Sequence, residues 1–106
     1  MNDETLAIVL TTMPDDARAA GLARALVEER LASCVNIHGS MQSVYRWKGA
    51  VEVDAERQLI IKTTSGRVAD LERRIRDLHP YELPEFVVLL AAGGAGYLSW
   101  VKDSVG

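Results

Sequence analysis

Two apolar-rich arms, Cys34–Trp47 and Val51–Thr64, fold back on each other at Lys48-Gly49 and constrain this chain more than any other feature. Each arm holds 14 residues, which at about 3.3 Å per residue reaches ~45 Å. A domain of 106 residues has a radius of gyration near ~13 Å and a diameter of ~35 Å. The ribbon therefore outreaches the body that carries it, and its outer part has no partners in its own chain. Unpaired edges bearing Met41, Val44, Tyr45, Trp47, Val51 and Val53 are an association surface. The geometry predicts one subunit of a closed oligomer.

Register within the ribbon is legible too. A two-residue tip pairs Trp47 with Ala50, Val44 with Val53 and Met41 with Glu56. Carried inward, that register sets Ile37 against Ile60, yet Val35 and Ile37 match Leu59 and Ile61 as core partners. One extra residue on the first arm repairs the mismatch. Gly39, which tolerates positive φ, is the expected bulge.

Around the ribbon the periodicities are plain. Thr5–Thr12 reads as a central strand, apolar on both faces and broken by Met13-Pro14. Pro14 suits a first helical position, and Asp15 and Asp16 suit a helix N-terminus; that helix is expected to reach about Leu31, with Ala19, Ala23, Leu26, Val27 and Leu31 inward. Ser65 is the expected cap of a second helix, 66–78, burying Val68, Leu71, Ile75 and Leu78. Asp70 with Arg74 and Glu72 with Arg76 make solvated pairs. Pro80 ends this helix at His79. A stiff Pro80–Pro84 connector, a strand over 86–92 and a short helix within 97–104 complete the chain. The order β-α-β-β-α-β predicts one α+β domain over 1–106, a ferredoxin-like sandwich with a long β2-β3 hairpin and a short C-terminal helix.

Composition excludes several classes. Net charge is -3 with no basic block, which argues against nucleic-acid binding. No apolar stretch approaches a membrane span. A single cysteine, Cys34, leaves no intrachain disulfide, and no leader pattern is read at the N-terminus, so the expected location is cytoplasmic. Gly93-Gly94-Ala95-Gly96 matches no phosphate cradle.

The segments Leu10–Asp15, Glu29–Asn36, Ser43–Gly49, Leu59–Thr64, Leu78–Glu85 and Tyr97–Trp100 together resemble the CutA family of divalent-cation tolerance proteins. The resemblance implies a PII-like homotrimer and a link to tolerance of copper and other divalent metals, with no enzymatic reaction attached. It also implies copper ligands at positions occupied here by Thr11, Leu78 and His79, of which only His79 keeps a ligand type. A lasting copper site needs more donors than one imidazole.

The candidate residues follow. His79 is the candidate metal ligand, at a helix C-terminus whose dipole favours the imidazolium. Lys62, Tyr81 and Glu85 are the candidates for a polar cleft between subunits, and Tyr45, Trp47 and Trp100 for the interface. Cys34 reads as a small buried hydrophobe, and His38 as an ordinary strand residue. The leading functional reading is a trimer that binds an ion or small ligand between subunits; the alternative is a PII-like scaffold that serves protein partners without metal.

Overall fold

The computed structural model describes residues 2–106. Its elements are β1 (Leu6–Pro14), α1 (Ala17–Glu28), β2 (Cys34–Ile37), β3 (Met41–Trp47), β4 (Ala50–Thr64), a 3-10 turn (Ser65–Arg67), α2 (Val68–Leu78), β5 (Val87–Ala91) and α3 (Ala95–Val105). The strands form one antiparallel sheet in the order β2-β4-β1-β5, and β3 joins it only through the outer half of β4. This is the ferredoxin-like α+β arrangement, with its long hairpin and a third helix at the C-terminus.

The ribbon has the length its residue count requires. The molecule is 44 × 26 × 23 Å, and β4 alone, at 15 residues, accounts for that long axis at about 3.3 Å per residue. Lys48 and Gly49 at the tip have φ of 50° and 83°, the two positive values that a type I′ hairpin turn needs. The inner register pairs Val35 with Ile61 and Ile37 with Leu59; the outer pairs Met41 with Glu56 and Trp47 with Ala50. The one-residue offset falls between Ile37 and Met41, where three residues face two. Gly39 lies in that offset as expected, but its backbone is not left-handed: only Arg30, Lys48 and Gly49 have positive φ among the described residues. The bulge splits the first arm into two strands, β2 and β3.

Alternation along β1 sets the two faces of the sheet. Ala7, Val9, Thr11 and Met13 are fully buried beneath the helices. Val9 and Met13 share one core cluster with Leu59 and Ile61 of β4, Leu22 and Leu26 of α1, and Leu71 and Ile75 of α2. Burying each such aliphatic side chain stabilises the fold by about 1.5–3 kcal/mol.

Several local expectations are corrected. The first strand continues through Pro14, because β4 is long enough to pair with it as far as Glu56. Helix α1 accordingly starts at Ala17, with Asp16 as N-cap accepting the Arg18 N–H at 2.9 Å. It ends at Glu28 and not near Leu31, because Arg30 turns left-handed and the Leu31 and Ala32 amides fold back onto the Leu26 carbonyl. Val27 is 41% exposed, and Leu22 takes its place in the core. Ser65 does not cap α2; its hydroxyl donates to the Asn2 carbonyl. A 3-10 turn intervenes, where Gly66 sits so close to Asp3 that an added Cβ would lie 2.9 Å from the Asp3 Cβ. Leu78 is exposed. Arg74 reaches across to Glu29, just past the end of α1, at 2.8 Å instead of pairing with Asp70, which is held by Arg67 and Arg73.

Candidate functional site

The face of the sheet away from α1 and α2 carries a cleft of about 1010 Å³. Its floor is Thr12, Pro14, Glu56 and Gln58, which alternation along β1 and β4 turns to this side. One wall is the ribbon, contributing Met41, Ser43, Tyr45, Trp47 and Asp54. The other wall is the connector, Pro80 to Glu85. The bulge is what brings Tyr45 and Trp47 here. An unbroken alternation from Val35 and Ile37 would have put them on the helix face.

The connector is held by side chains, not by a backbone ladder. The Tyr81 N–H donates to His79 Nδ1 at 3.1 Å, so that nitrogen is unprotonated. His79 Nε2 therefore bears the hydrogen and donates to the Thr12 carbonyl at 2.7 Å. The His79 and Tyr81 rings pack in a tilted contact, with centroids 4.7 Å apart and planes at 53°. The Tyr81 hydroxyl donates to Glu56 Oε2 at 2.6 Å. At the far end Gln58 Nε2 donates to Glu85 Oε2 at 2.9 Å and to the Thr11 carbonyl at 2.7 Å.

Electrostatics in the cleft follow from these contacts. Burial lowers the His79 pKa, outweighing the Thr12 carbonyl and Glu56, which both raise it. The expected dipole-stabilised imidazolium is thus replaced by a neutral ring. The Tyr45 phenol is pushed up to about 12, chiefly because it donates to Asp54. Burial, then the hydrogen bond to Glu56, raises Tyr81. Asp54, Glu56, Glu82 and Glu85 line the cleft, and no Lys or Arg does. Lys48 approaches from the rim, its Nζ 3.6 Å from Glu82.

The structure brings together part of the expected set. Tyr81, Glu85, Tyr45 and Trp47 share the cleft, with His79 behind the connector. Lys62 does not join them. Its partners are Ile8 and Cys34, six residues along β4 from Glu56, or about 20 Å, and its Nζ lies 5.9 Å from the Tyr97 ring. Trp100 packs against Tyr97 on α3 in a tilted contact, centroids 5.5 Å apart, also away from the cleft. Cys34 is half-buried, faces Lys62 and lies 3.9 Å from Asn36 Oδ1. Glu56 was missed by sequence reasoning; its place opposite Pro14, on the face of Thr12, is the signal that finds it.

Copper fits poorly within one subunit. The Thr11 side chain is fully buried on the helix face, Leu78 has no donor atom, and both His79 ring nitrogens are engaged. Among the described residues no group of three or more His, Cys, Asp or Glu is placed to hold a metal ion.

Comparison with known proteins gives the chain its relatives. The sequence profile described as CutA1 divalent ion tolerance protein matches residues 7–104. A Divalent-cation tolerance protein CutA from Thermus thermophilus is 46% identical over 93% of this chain and 97% of its own length. A human Protein CutA is 40% identical over 93% of this chain and 56% of its own. Among solved structures, CutA from Xylella fastidiosa superposes with a TM-score of 0.92 at 37% identity, over 99% of this chain and 100% of its own. The Thermus thermophilus structure superposes with a TM-score of 0.91 at 45% identity, over 95% and 99%. Profile, sequence and fold agree, and the chain belongs to the CutA1 divalent ion tolerance protein family.

Proposed function

We propose that this protein serves divalent-cation tolerance as a cytoplasmic, non-enzymatic homotrimer whose clefts, one per subunit, lie at subunit boundaries and bind a small cationic ligand. One observation carries the reading. The cleft is lined by four carboxylates, Asp54, Glu56, Glu82 and Glu85, and one of its walls belongs to the outer ribbon of β3 and β4, which no other strand flanks beyond Glu56 among the described residues. Val44, Val51 and Val53 are 64%, 63% and 53% exposed on the back of that ribbon, and Val87 to Leu90 are exposed along the β5 edge. Apolar strands left this open in one subunit are the surfaces that assembly covers. The acidic lining then selects for positive charge.

Copper, the ion implied by family resemblance, has no donor set here that would hold it as a resident cofactor, so metal tolerance is not routed through a His79 copper centre. Relatives with chloroplastic and periplasmic in their names exist, and the cytoplasmic placement rests on the sequence pattern alone, the lone Cys34 and the lack of a leader pattern at the start of the sequence. No helix among the described residues is long and apolar enough to cross a membrane.

Light scattering tests the assembly. The wild type should have three times the subunit mass of 11.6 kDa, and Trp47→Asp, which buries a charge in the boundary, should dissociate or unfold it. An unchanged mass in that variant removes the ribbon from the interface. Calorimetric titration with copper should give equally weak binding for wild type and His79→Ala.

A further inference from the structure

The two walls of the cleft come together at its mouth, and what joins them there is slight. The connector is anchored at both ends: His79 holds the Thr12 carbonyl, Tyr81 holds Glu56, and Gln58 holds Glu85. Between those anchors the apex, Glu82-Leu83, is exposed. Pro84 has no N–H, and among the described residues no backbone hydrogen bond ties residues 82–84 to a strand. Opposite stands the tip of the ribbon, the far end of a two-stranded stretch that β1 no longer flanks. Two strands by themselves are marginally stable. Both jaws are therefore lightly braced parts of the chain. One polar contact spans them: Lys48 Nζ lies 3.6 Å from Glu82 Oε2.

That contact differs from the others in the cleft. Its two side chains are 69% and 75% exposed, so water competes for each charge and salt screens the attraction. A pair of this kind adds little to folding. The Lys48 ammonium also lies 5.5 Å from the Trp47 ring centroid, which gives it a second resting place when Glu82 is not engaged. Trp47 and Glu82 line the cleft and Lys48 does not, so the bridge crosses the opening and leaves the interior free. A contact too weak to hold the fold thus sits where it sets the width of the entrance.

We propose that Lys48 and Glu82 form a gate over the cleft, closed by their ion pair and opened when Lys48 turns back onto Trp47. As control of ligand entry the gate rests on the cleft being the ligand site; as a moving part it does not, and its motion is measured without ligand. Its state follows the strength of an exposed ion pair, so rising salt opens it.

Trp47 reports that state. In a Trp100→Phe background it is the sole indole, and acrylamide reaches it through the mouth of the cleft. In the assembled protein, about 1 M sodium chloride, which screens charge within ~3 Å, should raise the lifetime-corrected quenching constant. The expected rise is roughly one and a half to twofold, as loss of a weakly favoured pair requires. Glu82→Lys, which sets two cations against each other, should raise the constant equally at low salt and abolish the rise with salt. Adding Lys48→Glu rebuilds the pair in reverse and should bring back both the low constant and the salt response. A constant moved neither by salt nor by Glu82→Lys would overturn the gate. So would a rise in Glu82→Lys that the reversed pair does not rescue, because it marks a disturbed connector. Caesium ion quenching no more strongly than iodide at equal ionic strength, with the rescue intact, would uphold the gate and remove the cationic reading of the cleft.

Discussion

Tyr81→Phe isolates one bond. The substitution keeps the ring that packs against His79 at 4.7 Å and the backbone N–H that fixes the His79 tautomer. It removes only the hydroxyl, 2.6 Å from Glu56 Oε2. Glu56 is 7% exposed, so water replaces the lost donor poorly. A hydrogen bond to a buried charged acceptor is worth about 1.5–3 kcal/mol. With a urea slope of about 2 kcal/mol per molar, the unfolding midpoint should fall by about 1 M. Glu56→Met removes the charge while roughly keeping the volume. In that background Tyr81→Phe should cost less than ~0.5 kcal/mol, because the acceptor is gone. The cycle then gives a coupling of at least ~1 kcal/mol. All four proteins are to be compared at one concentration, so that assembly linkage cancels. Equal costs of Tyr81→Phe in both backgrounds would refute the claim that Glu56 depends on this hydroxyl.

Three further outcomes are expected. Thr11 Oγ1 is buried without a partner, so Thr11→Val should raise stability by about 1 kcal/mol in urea unfolding, and a loss would mean that the hydroxyl is bonded after all. His79 is held below its ordinary 6.5; on acidification the unfolded imidazole takes up a proton before the folded one does, so its contribution is present above pH ~6.5 and lost as the pH falls below it. Nitrogen NMR should show the Nε2–H tautomer there, and a raised His79 pKa would contradict the Tyr81 contact. Gly49 at φ 83° should lose about 1–2 kcal/mol on conversion to Ala, and unchanged unfolding would show that the turn relaxes.

Much of the fold was legible because it follows from short-range periodicity and from length. The hairpin tip, the register offset and the order of elements needed only the matching of apolar positions across two arms. Boundaries failed where a tertiary partner overrode a local signal. Pro14 reads as a helix start until β4 is seen to pair with it, and Leu78 reads as core until α2 is seen to end at the surface. The cleft was half legible. Tyr81 and Glu85 stand out in a proline-framed connector, and Tyr45 and Trp47 in the ribbon. Joining them required knowing that the bulge reverses which face the odd-numbered residues take. Lys62 was misplaced for a related reason: it shares a strand with Glu56, but strand distance and not strand membership decides what meets. Glu56 itself carries no signal of type or motif, and its burial exists only in three dimensions.

Strand β4 has one further consequence. From Glu56 inward it pairs with β1 throughout, and also with β3 at Glu56 and with β2 from Leu59 to Lys62; from Ala50 to Ala55 only β3 flanks it. Successive amides in a strand point to opposite edges, so every second N–H of that outer stretch is aimed where its own molecule offers no carbonyl. Deuterium uptake along this single segment would therefore draw a line between what one polypeptide can shield and what only company can.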